Sequence, residues 1–350
     1  MGKYIVKRIL YIILVFFILS FLLFLIYNML PVDKAAETAK EEVKASRGKL
    51  DYDERYEYWQ KKYGLNGTTV ERYLRWIGLK AYDRIDENDN RSYFARLNGL
   101  LQGNFGDSNI YGKPVSEVIK EPMKNTIFIN IFATVIALGI TIPLGIFCAV
   151  KRGSKRDVAV QVGTIVGYSL PTFIIAILFI WLFAVVLGWF PVNGMSTAGS
   201  TEWSAWRQFW DKMYYLALPL IVMTFCSLGG MTRYVRSSMI EALSMDCIRT
   251  ARAKGLKEKV VIYSHAFRNA LIPIITLVIG WFLGIFSGSL MIENIFALNG
   301  IGRTYFQALT NHDNEVVLAL QMFYIFVSLA GNLITDIVYG FVDPRIRVNK

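Results

Sequence analysis

Side-chain chemistry has few places to occur in this chain of 350 residues. There are two histidines, His265 and His312, and three cysteines, Cys148, Cys226 and Cys247. No two cysteines are close enough for a CxxC redox or metal motif. No HExxH or GxSxG occurs. A phosphate cradle needs GxxxxGK[ST], but Gly48-Lys49 is followed by Leu50 and Gly112-Lys113 by Pro114. No site for ATP hydrolysis is therefore expected in this chain, and no cofactor. The conspicuous stretch is instead basic. From Arg233 to Pro273 the chain carries Arg233, Arg236, Arg249, Arg252, Lys254, Lys257, Lys259 and Arg268 against Glu241, Asp246 and Glu258. Such chemistry is polar docking rather than catalysis.

That stretch needs elements to hold it. Ser237 or Ser238 can cap a helix with Glu241 in its first turn. Ser244 is a second possible cap, Met245 to Lys254 lacks Pro and Gly, and Gly255 stands where a helix-ending residue belongs. We therefore expect short helices presenting a small surface, with the docking helix over Met245 to Gly255. Arg249, Arg252 and Lys254 would supply its polar contacts, and Ala251 and Ala253 would permit close approach. Glu241 would brace the loop, either on Arg236 or on helix-terminal amides.

The loop lies between apolar segments. The chain is 54% hydrophobic with a mean hydropathy of +0.38, more apolar than ordinary soluble domains. Six membrane spans are predicted, at about Ile9–Leu30, Ile127–Val150, Val158–Leu187, Met213–Met231, Ala270–Ile292 and Val316–Phe341, since each reaches the ~20 residues a crossing needs. The first is too long for the core of a signal peptide. Net charge is +11. Residues 1–8, 151–157, 233–268 and 343–350 together hold 18 Lys/Arg and 5 Asp/Glu, a net of +13, which leaves −2 for the rest. That asymmetry puts both termini and both basic loops inside, with no basic face left for nucleic acid. His265 and His312 then fall on opposite sides and cannot share a metal.

Within the spans, Pro171 predicts a kink. Gly280, Gly284 and Gly288 would form one close-packing face, and Gly229-Gly230 a close approach. Asp336 is the only acidic residue inside a predicted span. An intramembrane carboxylate is a functional candidate, and pairing with a juxtamembrane Arg is its structural alternative. Residues 31–124 are nearly neutral, with 17 Lys/Arg and 16 Asp/Glu, and rich in Tyr and Trp. They predict an outer module that packs on itself or lies at the lipid interface. Trp203, Trp206 and Trp210 would anchor a short interfacial helix.

The wording of the basic loop is specific. Glu241-Ala242-Leu243, Asp246, Arg249-Thr250-Ala251-Arg252-Ala253-Lys254-Gly255-Leu256 and Arg268-Asn269-Ala270-Leu271-Ile272-Pro273 resemble the coupling loop of membrane subunits of ABC importers, most closely the oligopeptide and dipeptide permeases. Topology alone explains the charge of this loop but not its ordered small residues. Gly103-Asn104-Phe105-Gly106-Asp107-Ser108, Glu293-Asn294-Ile295-Phe296, Gly300-Ile301-Gly302-Arg303 and the ending Asp343-Pro344-Arg345 are also similar to that family. Residues 79–97 look like an insertion, and Asn299 stands where the family often has Pro.

The resemblance implies an all-α integral membrane protein of the type I ABC importer class. It would have six transmembrane helices, a cytoplasmic coupling helix and a sizeable extracytoplasmic insertion between spans 1 and 2. Its parts would be 1–30, an outer module at 31–124, a permease core at 125–342 and a tail at 343–350. Implied partners are a second homologous permease, two ATPase subunits or a homodimer that bind the ATP and Mg, an extracytoplasmic peptide-binding protein and membrane lipid. The implied location is a prokaryotic cell membrane. Dipeptide, nickel and haem remain alternative cargoes. A secondary transporter would show more mid-span ionisable groups and inverted repeats.

Overall fold

In the computed structural model, residues 2–29, 33–47, 49–81 and 97–342 are described. Most of the 79–97 insertion and the 343–350 tail lie outside that set. The described chain is helical, with a single isolated bridge between Asp107 and Pro114. Five helices are long and apolar enough to cross a membrane, and a bent pair makes a sixth crossing possible.

The long helices are α1 (Gly2–Asn28), α5 (Val115–Val150), α8 (Ala205–Ser244) and α14 (Asn314–Val342), with α11 (Phe267–Gly284) extending a run that starts at Glu258. Three short helices follow α1: α2 (Lys34–Ala45), α3 (Tyr52–Lys62) and α4 (Thr69–Ile77). The bent pair is α6 (Lys155–Ser169) with α7 (Thr172–Phe179), and α9 (Asp246–Ala253), α10 (Glu258–Val260), α12 (Leu290–Ile295) and α13 (Ile301–Thr310) complete the set. At ~1.5 Å per residue, α5 and α8 far exceed the ~30 Å apolar slab. Spans 2 and 4 are thus parts of longer rods. The boundaries near 127 and 231 marked only where polar residues begin, because helical hydrogen bonding does not stop at a lipid boundary.

Three expectations are corrected. Pro171 breaks the chain instead of kinking it. Leu170 is extended, Pro171 precedes α7, and the two helices meet at 104°. The residue before a proline is driven from helical to extended backbone. The separate interfacial helix at Trp206 and Trp210 is absent, because both lie in the first turns of α8. The three-glycine face is also divided. α11 ends at Gly284, and Gly288 lies beyond it against the backbone of Gly302.

The chain divides into two compact units. The first contains residues 1–9, 119–307 and 326–350. One of its cores joins the carboxy-terminal stretch of α8 to α9 and α11 through Met239, Ile248, Val261 and Ile274. A second joins α7, α8 and α12 around Ile175, Leu216 and Phe296. Gly229 is required for α8 to approach α6, since a Cβ there would meet the Thr164 carbonyl oxygen at 2.5 Å; Gly230 faces open space. Small residues permit such backbone approach where lipid removes the hydrophobic driving force.

The second unit contains residues 10–118 and 308–325. Its α2–α3 hairpin is fixed by Glu42, which accepts from Arg55 at 2.7 and 2.8 Å and from the Trp59 indole at 2.7 Å. Tyr52 stacks on Tyr56, and Trp59 on Tyr63. Thr68 and Glu71 form a capping box at the start of α4. Tyr73 and Trp76 of α4 pack on Phe24 of α1, and the Tyr73 and Ser20 hydroxyls meet at 2.7 Å. The helices α2 and α3 therefore pack on each other, and α4 packs on α1. Ser108 and the Asn109 amide both donate to buried Asp313.

Candidate functional site

α9 is a short ledge at the end of a long rod. Met245 adopts extended backbone (φ −66°, ψ 147°) and separates α8 from α9. No serine caps the ledge: Ser237 and Ser238 lie inside continuous α8, and the Ser244 hydroxyl donates back to the Glu241 carbonyl at 2.7 Å. Asp246 in the first turn complements the amino-terminal end of the helix dipole. The C-terminal signal behaves as the sequence requires. Gly255 has φ +74°, its N–H donates to Arg252 at 2.9 Å, and Leu256 N–H reaches Ala251. A left-handed residue at this place is the usual helix stop, and glycine adopts it without a Cβ penalty.

One face of α9 belongs to the protein's own core. Ile248 and Ala251, three residues apart, are buried with Val235, Met239, Val261 and Ile262. Ala251 is thus an internal packing residue and not a point of approach for a partner. Ala242 is buried at the end of α8 in the same core. The other face is open. Cys247, Arg249, Thr250, Arg252, Ala253 and Lys254 are exposed. Thr250 donates to the Asp246 carbonyl at 3.0 Å, and Arg249 meets Asp246 at 3.4 Å. Arg252 is bidentate to Glu258 at 2.6 and 3.2 Å, which fixes the turn into α10. Exposed pairs of this type contribute little stability, so the ledge owes its position to Ile248 and Ala251.

The brace expected of Glu241 is made elsewhere. Glu241 is exposed on α8. Arg236 grips Asp157 instead, with Nε to Oδ1 at 2.9 Å and Nη2 to Oδ2 at 2.8 Å. Asp157 is fully buried and also accepts from the Gly153 amide and Gln161. Ser154 caps α6 by accepting from the Asp157 amide. The α8 rod is therefore clamped to the 151–157 turn just above α9. Sequence offered one clue to this clamp: Asp157 is the sole acid in a basic turn.

A second buried carboxylate organises residues 293–303. Glu293 accepts from the Thr126 hydroxyl at 2.9 Å and the Arg303 amide at 2.9 Å, while Thr126 accepts from the Ile301 amide at 2.8 Å. Burial pushes the Glu293 carboxyl up, and these donors only partly offset that. Gly300 and Gly302 are required here, since a Cβ on Gly300 would strike the carboxylate and one on Gly302 would meet the Leu290 backbone nitrogen at 2.7 Å. The Asn299 carbonyl accepts from Asn125 at 2.9 Å. Asp336 meets Arg8 at 2.6 Å, both half-buried. Pro171 stands at the α6–α7 break. His265 lies in the π-helical turn Val261–Ala266. Among the described residues no three His, Cys, Asp or Glu side chains gather as a metal site.

The profile of the binding-protein-dependent transport system inner membrane components matches residues 141–348, which include α9 and the α6 clamp. The oligopeptide transport system permease protein AppB of Bacillus subtilis (strain 168) is 35% identical over 99% of both chains. OppB of Haemophilus influenzae, another oligopeptide transport system permease protein, is 32% identical over 77% of this chain and 84% of its own. The peptidoglycan transport system permease protein YejB of Agrobacterium fabrum is 31% identical over 84% and 80%. The chain belongs to the family of binding-protein-dependent transport system inner membrane components.

Proposed function

We propose that this protein is a permease subunit of an ATP-driven importer and forms half of a membrane pathway for oligopeptides. The observation that carries the reading is the α9 ledge: a helix anchored on one face by Ile248 and Ala251, ended by Gly255, and offering Arg249, Thr250, Arg252 and Lys254 outward. A rigid ledge can transmit a push where a floppy loop would absorb it. The partners are a second permease, two ATPase subunits that hold the ATP and Mg, and an extracytoplasmic binding protein. The basic loops and both termini face the cytoplasm, by the asymmetry of Lys and Arg. The names of the relatives support peptide over nickel or haem as cargo.

ATP binding draws the docked ledges together, and the loaded binding protein favours the same conformer from outside. Only a shared preference of this type couples the two ligands. Within the subunit, the push passes from α9 into α8 through Met239 and Ala242. The Arg236–Asp157 clamp carries it on to α6. The test is purification of the tagged complex in mild detergent, with ATP turnover measured with and without peptide-loaded binding protein. Co-purification of an ATPase and a second permease, with turnover raised by loaded binding protein, is expected. Recovery of the chain alone, even after crosslinking from Cys247, would sink the reading.

A further inference from the structure

α5, α8 and α11 enclose an open groove of about 270 Å³ in the first unit. On α5 its wall is Asn130, Ala133, Thr134 and Ala137, which share one helical face at i, i+3, i+4 and i+7. Met223 and Ser227 line it from α8, and Gly280, Trp281 and Gly284 from α11. None of the lining side chains ionises. Among the described residues a Cβ at Gly280 or Gly284 would meet nothing within 4 Å, so these glycines serve no close contact there. The groove is held open by Asn130. Its buried amide donates to the Ile285 and Ser287 carbonyls, each at 2.9 Å, and so ties the carboxyl end of α11 to α5.

A second concavity, of about 450 Å³, lies between α5 and α8. It is turned roughly a quarter of the way round each helix at ~100° per residue. Ile136, Ile140, Leu220, Ile221 and Phe225 line it, with Thr224 its single hydroxyl-bearing residue. The same two helices therefore have a hydrocarbon side and a polar side. Polar groups inside membrane helices face protein interior or water, not lipid. Three polar residues from two helices converge on a space the chain leaves unfilled.

We propose that this groove is the subunit's wall of the translocation pathway and receives peptide by its backbone. The proposal rests on the peptide-permease reading above. The Thr134 hydroxyl can exchange hydrogen bonds with a passing peptide bond. Asn130 and Ser227, whose hydrogens go to Ile285, Ser287 and Met223, can accept from it, and the glycines leave room for peptide side chains. The absence of fixed charge avoids trapping acidic or basic residues, as a conduit requires.

The test uses single cysteines at Thr134, Ser227 or Gly280 in the assembled transporter, reconstituted in liposomes, with Cys148, Cys226 and Cys247 replaced by Ser. Val135→Cys, which is exposed on the other side of α5, is the lipid control. A cationic, membrane-impermeant methanethiosulfonate is the probe. Reaction at the groove positions should be on the order of tenfold faster than at 135, because only a hydrated thiolate reacts. Importing a mixture of short neutral peptides should slow it. Rates equal to the control would overturn the proposal and mark the groove as lipid-filled or covered by another subunit. Fast reaction in a complex that imports no peptide would overturn the peptide reading and leave an aqueous wall. Gly280→Leu adds a second readout, since its side chain enters open space. It should lower import severalfold while ATP turnover persists, and normal import would count against the groove.

Discussion

At the scale of single residues, two buried carboxylates organise the first unit by opposite means. Asp157 is satisfied by a cation: Arg236 approaches it with both arms. Removing one partner of a buried pair strands the other, at a cost of about 3–5 kcal/mol. Arg236→Leu should therefore lower the thermal unfolding temperature of the purified complex, and Arg236→Leu with Asp157→Asn should recover part of the loss. With Asp157→Asn alone as the remaining corner of the cycle, losses that simply add in the double variant would show that the pair is not coupled. Glu293 is satisfied by neutral donors, and its carboxyl is pushed up by burial. A carboxyl whose folded-state pKa is raised favours folding in its protonated form. That contribution is complete below the unfolded-state value and is lost as pH rises through the folded-state value. Mild acidification from neutrality should hence tighten the 293–303 segment. Glu293→Gln should be at least as stable as the parent and independent of pH in this range. Glu293→Ala, which leaves Thr126 and the Arg303 amide without their acceptor, should be less stable in thermal melts.

At the scale of elements, α9 depends on how it stops. Gly255 has φ +74°, which proline cannot adopt because its ring fixes φ near −65°. Gly255→Pro should abolish peptide-stimulated ATP turnover and import while the complex still assembles with its spans intact. Normal stimulation would remove α9 from the coupling path. Ala251→Trp is a different experiment from the one the sequence invites. Ala251 is buried in the same core as Val261 and Met239, so a large ring would lift the whole ledge and would not only obstruct a partner. The motif marks 245–255 as important. It does not say which of its alanines faces inward, since both are small and the helix is too short for a long apolar rhythm.

For the whole molecule, the chain divides into two units, and the second takes in most of α1 and part of α14 together with helices α2 to α4. The second unit has its own fixings: the Glu42–Arg55–Trp59 cluster, the aromatic seam of α4 on α1, and Ser108 on Asp313. We propose that its outer module meets the binding protein. Deleting 79–97 should weaken the binding protein's affinity for the complex, measured with reconstituted transporter, and leave basal ATP turnover unchanged. Unchanged affinity would remove the insertion from that contact.

The sequence by itself determined a membrane protein, its basic side, the ledge at 245–255 and its glycine stop. Apolar run length, the bias of Lys and Arg, and the backbone demand at Gly255 are all local properties. Tertiary structure decided the rest. It joined Asp157 to Arg236 across 79 positions, turned the Pro171 kink into a 104° break, and extended α8 unbroken from 205 to 244. It also put Thr126 beside Glu293 and split α5 and α8 into polar and apolar sides. In spans this apolar, the pattern of residues does not tell lipid from lumen. Only the positions of neighbouring helices assign each face its solvent.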